Sequence, residues 1–214
     1  RYQEQNARLI LMRDITDRKH YEEELRDQSA FLSVLAALRG VSDDKGDAVL
    51  MTVFLAKAAE QFSLQLVWFG ALEGEAVVPR QWAGGLEPRR RVWIRDDGQN
   101  EDDPMRRALE SGSPDICADV SDGVDHPRWR EEVCGIGVCS MVSLPLQVDG
   151  RIEGGLEFLA SRRNAFPERR AESLRILATE LGAILSERRR RRQSAEMMRR
   201  AELELKRYSH RIIE

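Results

Sequence analysis

The chain has 214 residues, a formal net charge of −3, 42% hydrophobic residues and 33% charged residues. This length allows one ordinary domain with additional elements or two small domains, and the small net charge gives no global field that would favour nucleic acid. No apolar stretch reaches the roughly 20 residues that cross a bilayer. Three cysteines form no disulfide framework, so we expect a cytoplasmic chain, or the cytoplasmic part of a larger protein, with reduced thiols.

The chain begins with a short apolar run, residues 8–13 (RLILMR), which predicts a strand. Asp14 and Thr16 can each cap a following helix, and acidic residues occupy the early turns of that helix. Gly40 ends this helix, and Asp47 begins a second one with a clear apolar face.

The pattern then changes to apolar runs and alternation with a period of two residues. "LQLVWFGAL" and "AVVPRQWAG" predict a β-hairpin, and Pro104 begins a short helix. "PDICADV" predicts a short strand, and another short helix ends at Gly135. "CSMVSLPLQV" and "RIEGGLEFLA", joined by Asp149 and Gly150, give the clearest hairpin pattern in the chain.

Pro167 begins the last predicted helix, which shows a heptad seam that is apolar at its start and increasingly polar beyond Ile184. One helix of this length cannot bury itself on a small domain, so we expect a second copy of the chain as its partner. The order of elements predicts an α+β fold with an antiparallel sheet between helical layers. The seam consists of Leu174, Leu177, Leu181, Ile184, Arg188, Arg191, Ala195, Met198, Glu202, Leu205, Ser209 and Ile212.

Residues 30–187 resemble a GAF domain, the small-molecule sensor module. The specific part is "GIGVCSMVSLPLQVDGRIEGGLEFLASRRNAFPERRAESLRILATELGAIL", which is similar to the family's hairpin and closing helix. Arg169 and Arg170 stand where the family often has a further acidic residue. The resemblance implies a GAF-like sheet and a regulatory function, with the ligand left open.

Residues 8–25 resemble the end of a PAS domain, whose last strand carries a D-I-T-x-R/K motif before the output helix. Here the motif runs from Asp14 to Arg18, and an ion pair between these two side chains would fix the exit angle of the helix. We therefore expect residues 1–18 to be the end of a PAS domain and 19–29 a connecting helix that continues to about residue 40.

Residues 188–214 are predicted to be a coiled-coil linker to an output domain. "ELELKRYSHRIIE" resembles the linker that enters the dimerisation domain of sensor histidine kinases, and a diguanylate cyclase output is the alternative. His210 lacks the acidic residue that follows a phosphoacceptor histidine. We expect a homodimer through the terminal helices, no nucleic acid or membrane partner in this segment, and no cofactor that the sequence requires.

Aromatic and sulfur-containing residues in or beside the predicted sheet are the candidates for a ligand pocket. Such a pocket would suit a planar or apolar ligand, and the alternative is ordinary core and loop packing. The candidates are Trp68, Trp82, Trp93, Met105, Ile116, Trp129, Cys134 and Met141.

Four metal-capable groups lie close together in the sequence: Cys117, His126, Cys134 and Cys139. Their spacing matches no standard zinc pattern, so we predict no metal site and structural cysteines, with redox sensing by one thiol as the alternative. Some GAF domains bind haem, but His126 precedes a proline at a predicted helix start, which favours a surface position.

The five arginines 188–192 include two residues of the heptad seam, Arg188 and Arg191. Like charges that face each other in a parallel dimer would loosen the coil there. We therefore predict Asp14, Thr16, Arg18, Arg188 and Arg191 as signal-coupling residues, and expect leucine at both seam arginines to lock the output in one state.

The functional prediction is a sensor module that passes a small-molecule or upstream PAS signal through dimeric helices to an output domain, most simply a histidine kinase. A ligand-free dimerisation spacer is the alternative. Some free-standing GAF proteins reduce methionine sulfoxide with cysteines, but the long flanking helices favour a relay. We therefore expect this fragment not to be an enzyme.

Overall fold

The computed structural model describes residues 16–88, 92–93, 103–121 and 128–212. The predicted strand at 8–13 lies outside these residues. The elements, in chain order, are α1 (Thr16–Arg39), α2 (Asp47–Gln61), β1 (Leu66–Glu73), β2 (Ala76–Gly84), β3 (Val92–Trp93), α3 (Pro104–Ser111), β4 (Asp115–Cys117), α4 (Arg128–Cys134), β5 (Ser140–Val148), β6 (Arg151–Ala160) and α5 (Glu168–Ile212).

The described strands form one six-stranded antiparallel sheet in the order β3-β2-β1-β6-β5-β4. Both predicted hairpins are present, and β1 and β6 lie side by side at the centre of the sheet. The β5–β6 turn places Asp149 at φ 51° and Gly150 at φ 75°. Positive φ at both central residues is the conformation that makes Asp-Gly favourable in a tight hairpin.

Successive side chains of β6 point to opposite faces of the sheet and enter two separate cores. Leu156 and Phe158 join the larger core, which α1, α2 and α5 cover, and the ring of Phe158 packs edge-on against Phe54 of α2. Leu159 joins the second core, under α3 and α4. This arrangement confirms the α+β fold with an antiparallel sheet between helical layers.

Helix α5 has 45 residues, which corresponds to roughly 68 Å at 1.5 Å per residue. Its first part is not available to a partner helix, because Leu174, Leu177 and Leu181 are buried in the larger core of this same chain. After Arg192 every α5 side chain that the structure describes is exposed. The predicted seam therefore has two different roles, core packing up to Leu181 and solvent-exposed helix beyond 192.

Helices α1 and α5 run parallel: the residue numbers of their ion-pair partners increase in the same direction along both helices. Arg170 donates to Asp27 at 2.7 Å with both side chains largely buried, and Arg39 lies 3.9 Å from Glu180. Arg169 pairs with Glu24. The two arginines that depart from the family pattern thus hold the N-terminal helix against the closing helix. None of the described helices has both the length and the apolar character needed to cross a membrane.

Candidate functional site

Three polar side chains stand in a row on the α3–α4 face of the sheet. Glu157 of β6 lies directly opposite Trp68 of β1 on one side and Ser143 of β5 on the other. The Trp68 indole Nε1 donates to Glu157 Oε2 at 2.7 Å, and the Ser143 hydroxyl donates to Glu157 Oε1 at 3.1 Å. All three side chains are buried. The antiparallel register alone brings them together, since residues directly opposite on neighbouring strands are side-chain neighbours.

Glu157 is the residue that the sequence analysis missed. A carboxyl group in an apolar interior is costly unless it is hydrogen-bonded, so the bonds from Trp68 and Ser143 reduce the free-energy cost of burying Glu157. The sequence could have pointed to Glu157 by its position, because it is the one acidic residue within the apolar run "GGLEFLA". Packing alone would favour an apolar residue at this place.

A cavity of about 400 Å³ opens beside this carboxylate. The sheet forms one wall, and α4 with the turn that follows it forms the other. A volume of this size lies within the range of small-molecule pockets, and an apolar lining with few polar groups is typical of them. The described residues that line the cavity include three acids, Glu131, Glu132 and Glu157, beside Leu66, Trp68, Pro88, Val133, Gly135, Ile136 and Leu159.

Four of the predicted pocket residues lie in the buried core on this side of the sheet: Trp68, Met105, Trp129 and Met141. Only Trp68 among them lines the cavity. The sulfur of Met105 lies so near Gly155 that a Cβ there would come within 2.0 Å of it. Met105 therefore fixes the distance between α3 and the sheet, beneath the site.

The structure does not bring the other predicted pocket residues to the cavity. Trp82 is 44% exposed and Ile116 is 41% exposed, because they lie on strands nearer the two edges of the sheet. Cys134 is exposed at the last residue of α4. The side chain of Trp93 lies outside the described residues.

Cys117 is buried, Cys139 is partly buried and Cys134 is exposed, and all three are free thiols. Burial raises the pKa of Cys117, and burial followed by the neighbouring Cys139 raises the pKa of Cys134. A raised pKa lowers the fraction of reactive thiolate. His126 lies outside the described residues, within which no group of three or more His, Cys, Asp or Glu side chains is placed to hold a metal ion.

The signal-coupling residues at the N-terminus are described only in part. Arg18 is exposed on α1 and donates to Glu22 at 2.8 Å. Thr16 is the first residue of that helix, and Asp14 lies outside the described residues. The ion pair between Asp14 and Arg18 stays a prediction.

Arg188 requires a correction, because it does not face outward on a coiled-coil seam. Its side chain is 3% exposed, and its guanidinium donates to the backbone carbonyls of Val41, Ser42 and Lys45. Arg191 is exposed and bonds to acidic side chains of this chain. A buried Arg188 cannot face its copy across a seam, whereas the signal-coupling role of the exposed Arg191 stays a prediction.

A sequence model of the GAF domain family matches residues 49–186. Among solved structures, free methionine-R-sulfoxide reductase from Neisseria meningitidis is similar, with 19% identity, a TM-score of 0.63, and coverage of 87% of this chain and 99% of that chain. The same kind of reductase from Staphylococcus aureus gives 17% identity, a TM-score of 0.56, and coverage of 73% and 95%. The A. aeolicus NLH2 GAF domain is similar as well, with 11% identity, a TM-score of 0.55, and coverage of 79% of this chain and 98% of that chain. No curated protein matches the chain.

The prediction that this chain is not an enzyme is wrong, because enzymes are among the proteins that share its fold. At these identities the similarity shows the fold alone and carries no activity from one chain to the other. The family match covers more than half of the chain and includes both strands of the β5–β6 hairpin and the first part of α5. The chain therefore belongs to the GAF domain family.

Proposed function

We propose that this chain is a regulatory sensor module that binds a small molecule in the cavity beside Glu157 and passes the change to α5. The observation that carries the proposal is the buried carboxyl group itself, placed at a cavity of about 400 Å³ with Trp68 and Ser143 donating to its oxygens. GAF domains are in general regulatory or sensor domains, which agrees with this proposal.

Strand β6 gives a direct path from the cavity to the long helix. Glu157 and Leu159 face the cavity, while Leu156 and Phe158, on the other face of the same strand, pack in the core that α5 closes. A ligand shifts an equilibrium between two conformations only if it binds one of them better than the other. A ligand that draws α4 towards the sheet would favour one conformation of β6, and β6 would pass the change to the core packed against α5.

The wider arrangement is also a proposal. Residues 1–18 would end a PAS domain, 19–29 would form a connecting helix that continues to about 40, 30–187 would be the sensor, and 188–214 would lead to a histidine kinase or, alternatively, a diguanylate cyclase. The protein would be cytoplasmic and homodimeric through its terminal helices. Met198 and Leu205, each 69% exposed on α5, support the dimer because they are apolar seam residues without cover in the single chain.

Native mass spectrometry and an absorption spectrum of the purified chain test the sensor proposal first. A thermal-shift panel of nucleotides, amino acids and other metabolites follows. A bound small molecule, or a panel member that raises the melting temperature, supports the sensor. An empty protein with no shift across the panel would instead favour the ligand-free spacer.

A further inference from the structure

Five consecutive arginines, 188–192, lie where α5 leaves the domain, and we name them the arginine collar. Arg189 bonds to Glu153 of β6, with Nη2 at 2.7 Å from Oε2. Arg191 Nη1 lies 2.5 Å from Asp43, and Arg192 Nη1 lies 3.2 Å from Asp47. The positive charges of Arg189, Arg191 and Arg192 are therefore paired with acidic side chains of the same chain, which disfavours the binding of an anionic partner to the collar.

Arg188 is the buried member of the collar. Its Nη2 donates to the Val41 carbonyl at 2.5 Å and to the Ser42 carbonyl at 3.1 Å, and its Nη1 donates to the Lys45 carbonyl at 3.0 Å. Asp43 lies 3.7 Å from Nε. A planar guanidinium can satisfy several carbonyls at once because its donors point in fixed, divergent directions.

These carbonyls belong to the loop between α1 and α2, residues 40–46, which we name the α1–α2 loop. The loop begins at the C-terminal end of α1, where the helix dipole is negative and a cation is favourable. Since α1 and α5 run parallel, the end of α1 and the exit of α5 lie at the same place. One side chain from α5 therefore holds the backbone that directly follows α1.

We propose that Arg188 is a positioning residue that ties the end of α1 to the exit of α5, so that movement of either helix is passed to the other through this contact. Its role in signalling rests on the proposed sensor function. The contact itself does not, because it is made without a ligand.

Hydrogen exchange measured by mass spectrometry on the whole chain tests this proposal without a ligand. Three variants are compared with the original chain: Arg188→Met, which keeps the aliphatic stem, Arg188→Lys, which keeps the charge, and the control Arg190→Met. Arg190 is exposed and pairs within α5 with Glu187. We expect Arg188→Met to speed exchange by roughly tenfold or more in two segments distant in sequence, 41–46 and 188–196.

Strands β1 and β6 should keep their exchange rates in Arg188→Met, because their backbone hydrogen bonds join neighbouring strands, whereas Arg188 donates to the α1–α2 loop. Arg188→Lys should lie between the original chain and Arg188→Met, since one ammonium cannot reach all three carbonyls, and the control should change neither segment. Unchanged exchange in either segment would overturn the proposal. An equal rise in β1 and β6 would overturn it too, because it would mean that Arg188 only adds to overall stability. Failure to detect any ligand leaves this result unaffected, so the two proposals fail separately.

Discussion

At the scale of single residues, the most informative feature is an acid where packing favours an apolar residue. Glu157 is fully buried, with an indole N–H on one oxygen and a hydroxyl on the other. Residues that contradict the local pattern and are then stabilised by specific partners are often functional. The sequence shows the contradiction, but the partners depend on the strand register and come from 89 and 14 residues away.

Replacing Glu157 with glutamine should lower the free energy of unfolding by about 1–3 kcal/mol, because the amide has one acceptor oxygen where the carboxyl group accepts from Trp68 and Ser143 on two separate oxygens. Urea denaturation followed by circular dichroism measures this loss. Glu196→Gln is the matched control, since Glu196 is exposed on α5 and pairs there with Arg200. An equal effect of both substitutions would show that the buried hydrogen bonds contribute nothing.

Asp119 gives a prediction about pH. The hydroxyl and the backbone N–H of Ser121 donate to its carboxylate and hold its pKa below the usual value. A group with a lowered folded-state pKa stabilises the protein above its unfolded-state pKa of about 4, and this stability is lost as the pH falls through the folded-state pKa.

Asp119→Asn should therefore lose less stability than the original chain between pH 6 and pH 3. Thermal unfolding at a series of pH values measures the difference. Identical pH profiles for the two proteins would contradict the assigned role of the Ser121 donors.

At the scale of elements, α5 shows how far a periodic pattern can predict structure. The heptad spacing correctly predicted one long helix, but it cannot say whether a partner helix or the chain's own sheet covers a given stretch. The sheet covers the stretch up to Leu181. Gly182 allows α5 to pack closely against β5, because a Cβ at this position would lie 2.1 Å from the carbonyl oxygen of Gln147 on β5.

Gly182→Ala should consequently destabilise the protein by about 1–3 kcal/mol, although alanine is favoured over glycine by about 1 kcal/mol inside an ordinary helix. Gly85→Ala is the control, because among the described residues, its chain neighbours apart, no atom lies within 4 Å of the position its Cβ would take. Chemical denaturation of both variants is the measurement. A stabilised Gly182→Ala protein would mean that α5 and β5 are not in close contact.

At the scale of the whole molecule, patterning predicted the hairpins, the closing helix and the fold class, because these depend on local periodicity and turn residues. Contacts between distant segments were not predictable in this way. The run of arginines suggested repulsion between two copies, whereas Arg188 bonds to backbone that lies about 145 residues earlier in the chain. Backbone carbonyls leave no mark in a sequence, so nothing identified them as its partners.

The proposed dimer gives the prediction at this scale. Leu205→Asp should shift the chain towards monomer, because a charge on the seam would be buried against the partner helix. Leu203→Asp is matched in chemistry and lies towards the opposite side of α5, with its side chain 56% exposed. Size-exclusion chromatography with light scattering gives the mass of each variant. Equal masses for the two variants would contradict a dimer through the predicted seam.

Ligand binding beside Glu157 is the central claim, and a thermal-shift panel run in parallel on the original chain, Glu157→Gln and Glu196→Gln tests it most directly. A ligand at one hundred times its Kd adds about 2.7 kcal/mol of stability, which for a chain of this size corresponds to a shift of roughly 5–10 °C. We predict such a shift for at least one nucleotide, amino acid or other metabolite in the original chain and in Glu196→Gln, and its loss in Glu157→Gln. No shift in any of the three proteins, or an undiminished shift in Glu157→Gln, would contradict the claim.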